Sequence, residues 1–172
     1  MHFNKTSQME VTIVRIAHMY GIPTKAKECT DIYSKMCMKA LTERRLKVNA
    51  KKAISGIYIR DAIEALYLIM NAQERKHSVY HISSMEENTE AEIAQLIKEN
   101  IEQPIDIIDQ TVGLKQRIVL SNKRICEEFH FKIRYSYKTI IPAMISYMKH
   151  HKLQFLRRDD NMEGNRLVNR LL

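Results

Sequence analysis

Glycine is scarce in this chain, with four among 172 residues: Gly21, Gly56, Gly113 and Gly164. No two of them lie within thirty residues of each other. A dinucleotide-binding loop needs glycines clustered at a strand-to-helix turn, so that the backbone can approach a pyrophosphate. The sequence holds no such loop. Tryptophan is absent, and cysteine is limited to Cys29, Cys37 and Cys126, an odd count with no C-x-x-C spacing. That usage argues against a disulfide framework or a zinc site, and reduced thiols in a cytoplasmic protein are expected. No apolar run approaches the ~18–20 residues that span a bilayer. The opening Met-His-Phe-Asn-Lys-Thr-Ser-Gln has no apolar stretch of the kind a secretory signal needs.

What is present is ordinary for a globular protein. Hydrophobic residues make up 45% and charged residues 28% of the chain, enough to bury a core in one domain. The net charge is +8, unevenly spread. Residues 35–52 hold Lys35, Lys39, Arg44, Arg45, Lys47, Lys51 and Lys52 against the single carboxylate of Glu43. Such a patch can recruit phosphates or nucleic acid. It also fits a solvated basic helix, and no interleaved aromatics favour nucleic acid. Ten methionines are scattered along the chain and read as adaptable core filling. His150-His151 stands alone and is not a metal site.

The pattern alternates between strands and helices. Residues 11–17 are β-rich and mostly apolar, as in a buried parallel strand, and end at the turn signal Tyr20-Gly21-Ile22-Pro23. Residues 30–46 read as a helix. Ile57-Tyr58-Ile59 is a short strand. Asp61 then opens a helix with Glu64 three residues on, a capping-box pattern, and Ile63, Leu66, Tyr67 and Met70 form its expected buried face. Val79-Tyr80-His81-Ile82 is strand-like. Thr89 and Glu92 form a second capping box ahead of Ile93, Leu96, Ile97 and Ile101. Ile105 to Ile108 and Ile118-Val119-Leu120 are short apolar runs. Ser121 is the expected cap of a helix with Ile125 and Phe129. Thr139 is the expected cap of a last helix, which would place Pro142 in its first turn. The expected division is one domain over residues 1–150 and a basic tail over 151–172. The class is α/β with parallel pairing, and a sheet this small would leave an apolar edge open.

Three segments, in order, resemble the C-terminal half of the NAD-dependent epimerase/dehydratase family, the extended short-chain dehydrogenase/reductases. They are Val11-Thr-Ile-Val-Arg15-Ile-Ala-His18-Met-Tyr20-Gly21-Ile-Pro23, Ile57-Tyr-Ile-Arg-Asp61-Ala-Ile-Glu64-Ala65 and Ser78-Val-Tyr80-His81-Ile-Ser-Ser84. The resemblance implies a partial Rossmann-type sheet edge plus a small mixed α/β substrate-binding region. It implies that Ile16 and Ala17 approach the nicotinamide. It further implies that Arg15, His18, Tyr20, Tyr58 and Arg117 face a nucleotide-sugar, and that Asp61 is a structural cap. His18 stands where the family has Asn, and His81 replaces another Asn.

The family's catalytic Tyr-x-x-x-Lys, in which Lys lowers the Tyr pKa, is missing. Tyr20 is followed at that spacing by Thr24, Tyr33 by Cys37, Tyr58 by Ala62 and Tyr147 by His151, and the other four tyrosines likewise lack Lys. Two diphosphate-clamping arginines of the family read here as Ile54 and Thr111, with Lys51, Lys52, Lys115 or Arg117 as candidate replacements. A lysine is a point charge and orients a diphosphate less well than a guanidinium. The expectation is therefore a substrate-binding half without catalytic residues. NAD(P) would belong to the complete enzyme and would not bind this chain alone. A partner is expected in the missing half, with no membrane and no nucleic acid. A non-catalytic interaction module, or an anion- or nucleic-acid-binding protein using residues 35–52, is the alternative.

Overall fold

A computed structural model describes residues 10–114 and 119–151. Strand β1 (Ile13–Ile16) runs almost directly into β2 (His18–Tyr20), with only Ala17 between them. Helix α1 (Ile32–Glu43) follows, then β3 (Arg45–Val48), β4 (Ala53–Ile54) and β5 (Gly56–Tyr58). Helix α2 (Ile59–Asn71) leads into β6 (Val79–Ile82) and β7 (Asn88–Thr89). Helix α3 (Glu90–Glu99), β8 (Asp106–Asp109), α4 (Lys123–Phe129) and α5 (Tyr137–His150) complete the order. The α/β class and the partial Rossmann-like sheet expected from the sequence are both present. No helix among the described residues is long and apolar enough to cross a membrane.

Pairing is mostly parallel. Strand β1 pairs with β6, Ile13 opposite Val79 and Ile16 opposite Ile82. Strand β2 pairs with β5, and β3 with β8. Among the described residues, only β4 with β7 is antiparallel. Parallel neighbours need long crossovers; here α2 carries the chain from β5 to β6, and β6 returns to the side of β1.

Two cores hold these layers. The larger joins α1, α3 and α5 through Met36, Cys37, Ile93, Ile97, Ile141 and Met144, all buried. The smaller packs Ala62, Ala65 and Ile69 of α2 and Ile125 of α4 over Ile57, Tyr80 and Ile82 of the strands. A tyrosine cluster lies in the first core. The ring centroids of Tyr20 and Tyr33 are 4.4 Å apart, those of Tyr20 and Tyr58 5.7 Å, and those of Tyr58 and Tyr135 4.8 Å. This is why β5 begins with glycine. A Cβ at Gly56 would lie 2.7 Å from the Tyr33 hydroxyl.

Helix boundaries follow local chemistry, not always where expected. The Thr89 capping box forms as read: Thr89 Oγ1 accepts from Glu92 N, and Glu92 Oε2 accepts from Thr89 N at 2.7 Å. Helix α1 is shorter than residues 30–46. Asp31 caps it by accepting from Ser34 N, Arg44 ends it in the left-handed region, and Leu46 belongs to β3.

Asp61 is not the cap of α2. Tyr58 holds that position without a side-chain bond, and Asp61 sits in the first turn. Its buried carboxylate instead accepts from the backbone amides of Arg134 and Tyr135, tying α2 to the segment before α5. Ser121 is likewise one residue early: Asn122 holds the cap position of α4, without a side-chain bond to the helix. Ser136, not Thr139, caps α5, so Pro142 lies beyond the first turn and its missing N–H removes one intrahelical bond.

The expected buried face of α2 is the largest departure. Ile63, Tyr67 and Met70 are 58%, 66% and 77% exposed. The small residues Ala62 and Ala65 face the sheet instead, because they let the helix approach the strands closely.

Candidate functional site

A cavity of about 360 Å³ opens where β1 ends and β2 begins. In open α/β sheets, ligands bind outside the carboxyl ends of parallel strands, and this cavity occupies such a place. Ile16 and Ala17 form one wall, and His18 stands beside them. Ile32, the first residue of α1, faces them, and Ala53, Ile54 and Ser55 supply the β4 side. Lys52 and Leu120 complete the lining.

Polar groups around this cavity are held by the fold. His18 Nε2 accepts from the backbone amide of Ile32 at 3.4 Å, which links the start of β2 to the start of α1. That bond needs the Nε2 lone pair, so the ring carries its proton on Nδ1. Ser55 and Ser83 share a buried hydroxyl–hydroxyl bond at 3.1 Å. Asn122 Nδ2 donates to the Ser83 carbonyl at 2.9 Å, which fixes the chain just after Leu120. Ser84 Oγ donates to the Gly56 carbonyl at 2.6 Å.

The site residues expected from the sequence divide into three groups. Ile16, Ala17 and His18 come together at the cavity. Arg15 is exposed on β1, opposite His81. Tyr20 and Tyr58 lie in the interior, 3% and 7% exposed, among other tyrosines rather than at the cavity wall. Burial pushes the Tyr20 hydroxyl far above the ordinary tyrosine range and the Tyr33 hydroxyl up to about 12. A neutral phenol packed on its neighbours is what this geometry supports. Arg117 lies outside the described residues.

Sequence reasoning missed Ile32, Ala53 and Ser55. No motif marks them, because they meet only through the crossover from β2 to β5.

Of the candidate replacements for the family arginines, Lys51 and Lys52 are engaged in the fold, while Lys115 and Arg117 lie outside the described residues. Lys51 Nζ donates to the Gly113 carbonyl at 3.2 Å. Lys52 pairs with Glu90 at 3.2 Å, and Glu90 also accepts from the Asn49 amide. Thr111 Oγ1 accepts from the Ala50 amide at 2.8 Å and bonds Asp109. These contacts lock the loop over residues 49–52 against that over 109–113. Among the described residues, no three His, Cys, Asp or Glu side chains gather as a metal site.

No protein-family model and no curated protein matches this chain. Solved structures do. The chain superposes on dTDP-glucose 4,6-dehydratase from Bacillus anthracis, in complex with NAD, with TM-score 0.73 and 18% identity, covering 90% of this chain and 49% of that one. It superposes on UDP-glucose 4-epimerase from Thermotoga maritima, with UDP-glucose, with TM-score 0.71 and 15% identity, covering 87% and 49%. The epimerase Mth375 from Methanothermobacter thermautotrophicus gives TM-score 0.74 at 13% identity, covering 88% and 47%. The fold is that of half an epimerase or dehydratase chain.

Gly21, Gly56 and Gly113 sit apart, at a turn, in β5 and in a loop, and nothing among the described residues forms a cradle for a pyrophosphate. The residues present do not fit a whole NAD molecule. Ile16 and Ala17 offer an apolar wall and no more.

Proposed function

We propose that this chain is the substrate-binding half of an NAD-dependent nucleotide-sugar epimerase or dehydratase, non-catalytic by itself. One observation carries the reading: the cavity at the carboxyl end of β1 brings together Ile16, Ala17 and His18 of the resembling segment. In the complete enzyme these residues form one wall of the sugar pocket. Arg15 and Arg117 are proposed as further substrate contacts, while Tyr20 and Tyr58 act by supporting the wall from within. The cofactor belongs to the dinucleotide-binding half, which is the proposed partner. The proposed location is the cytoplasm, where nucleotide-sugars and reduced thiols coexist.

His18 is the side chain at the cavity that can donate from Nδ1 to a substrate oxygen while Nε2 stays bonded to Ile32. Ile54 sits where the family clamps a diphosphate. The reading is tested by ligand-detected NMR and calorimetry on the purified chain. UDP-glucose should give a saturation-transfer signal that weakens in His18→Ala and strengthens at least about tenfold in affinity in Ile54→Arg, a charge-assisted contact's worth. NAD should show no binding tighter than about 1 mM. NAD binding without any UDP-glucose response overturns the proposal.

A further inference from the structure

The Ser55 hydroxyl lies in the cavity wall and is tied to the interior by a short chain of hydrogen bonds. Ser55 is the single residue between β4 and β5, lines the cavity and is 9% exposed. Its Oγ is 3.1 Å from Oγ of Ser83, just beyond β6. Ser83 is fully buried. Ser83 Oγ also accepts from the backbone amide of Met85 at 3.0 Å, a bond that closes the turn in which Met85 takes a left-handed φ of 61°.

Counting hydrogens decides which serine donates. A hydroxyl has one hydrogen to give and two lone pairs to receive with. If Ser55 donated to Ser83, the Ser83 hydrogen would have no acceptor, since its Oγ has no other partner among the described residues. An orphaned donor in a dry interior is costly. If Ser83 donates to Ser55, nothing inside is orphaned, and the Ser55 hydrogen is left to point into the cavity. The order runs from the Met85 amide to the Ser83 hydroxyl, from there to the Ser55 hydroxyl, and on to whatever fills the cavity. The backbone on both sides of the pair is fixed. Asn122 Nδ2 holds the Ser83 carbonyl at 2.9 Å, and the amide and hydroxyl of Ser84 both donate to the Gly56 carbonyl, at 3.4 and 2.6 Å. A donor held this way before a ligand arrives loses little freedom on binding.

We infer that Ser55 is a specificity-determining contact of the cavity: its hydroxyl, preset as a donor by Ser83, reads an acceptor oxygen of the sugar, and Ser83 is its positioning residue. The inference rests on the proposed function and deepens it, because Ser55 lies outside the three resembling segments. His18 offers a hydrogen from Nδ1 for the same kind of reason, its Nε2 being taken by the Ile32 amide. Two neutral side chains of one largely apolar cavity therefore each present a donor. A fixed donor discriminates by what it lacks: a ligand without an acceptor at that point leaves the buried hydrogen unpaired.

The test is a set of NMR titrations of the purified chain with UDP-glucose and with analogues that replace one sugar hydroxyl at a time by hydrogen or by fluorine. Fluorine can accept a hydrogen bond but cannot donate one. At one position, replacement by hydrogen should weaken binding about fivefold, a neutral hydrogen bond's worth, and fluorine there should bind at least about twofold better than hydrogen. Ser55→Ala should weaken UDP-glucose about fivefold and erase the difference between the two analogues. Ser83→Ala should weaken it about threefold in the wild type and not at all in the Ser55→Ala background, a non-additivity that a merely structural role would not give. Thermal midpoints of the free variants set the temperature of each titration, so that only folded protein is compared. Unchanged affinity in Ser55→Ala, an additive Ser83→Ala, or fluorine no better than hydrogen at every position would each overturn the inference and leave the proposed function standing. Absence of UDP-glucose binding by the wild type would overturn both.

Discussion

Replacing Gly56 by alanine probes how tightly the tyrosine cluster is closed. The new methyl would meet the Tyr33 hydroxyl at 2.7 Å, and Tyr20 Cδ1 and Tyr33 Cε2 at 3.1 Å. Ordinary contact begins at 3.4 Å, so the hydroxyl must retreat by about 0.7 Å. Tyr33 is fully buried and has nowhere to swing. Its hydroxyl also accepts from Asn88 Nδ2 at 3.3 Å, a bond already near its limit.

Overpacking of this kind costs about 1–3 kcal/mol, and losing the Asn88 bond adds about 1 kcal/mol. The lower entropy of the unfolded alanine chain offsets about 0.5–1 kcal/mol. The net is a loss of roughly 2–3 kcal/mol, or a thermal midpoint lowered by about 8 °C for a domain of this size. Tyr33→Phe removes the 2.7 Å contact and leaves the others. The double variant Gly56→Ala/Tyr33→Phe should then be more stable than the two single losses sum to, by about 1 kcal/mol. Urea melts followed by circular dichroism measure all four corners of the cycle. A Gly56→Ala protein as stable as wild type, or strict additivity, would refute the packing argument.

Two further outcomes follow from buried titratable groups. Burial raises the Asp61 carboxyl above the ordinary carboxylate range, against the pull of the Tyr135 and Arg134 amides. The folded state therefore holds this proton more tightly than the unfolded state. That contribution is complete below about pH 4 and falls as pH climbs through the raised value. Asp61→Asn should consequently lose more stability relative to wild type at about pH 3.5 than at about pH 7, measured by paired urea melts; the reverse order would refute the sign. Burial also lifts all three thiols, Cys29 to about 11 and Cys37 further. At about pH 8, where a free cysteine is partly thiolate, a thiol reagent should label the fully buried Cys37 only as fast as the protein unfolds. Labelling of Cys37 at the rate seen in urea would contradict that.

Much of the fold was legible because local chemistry decides it. The Thr89–Glu92 box, the Val79–Ile82 strand and the break at Gly21-Ile22-Pro23 depend on side chains within a few residues of each other. Boundaries failed where a distant partner intervened. Asp61 has the sequence context of a cap, yet two amides some seventy residues downstream claim its carboxylate. Leu46 continues the helical period of α1, yet pairing with β8 draws it into a strand. Ile16, Ala17 and His18, named through their resembling segment, line the cavity. Tyr20 and Tyr58 belong to the same segments, but their rings turn inward onto Tyr33 and Tyr135.

The sequence alone determined that this chain has no glycine loop and no Tyr-x-x-x-Lys, because both are counts of residues at fixed spacing. It also determined that α2 is amphipathic, since periodicity is a property of the string. Only the tertiary structure decided which side of α2 is covered. A helical period shows that apolar side chains share a face, but burial depends on what lies opposite. Here the close approach of Ala62 and Ala65 to the strands turns the small residues inward and leaves Ile63, Tyr67 and Met70 in solvent.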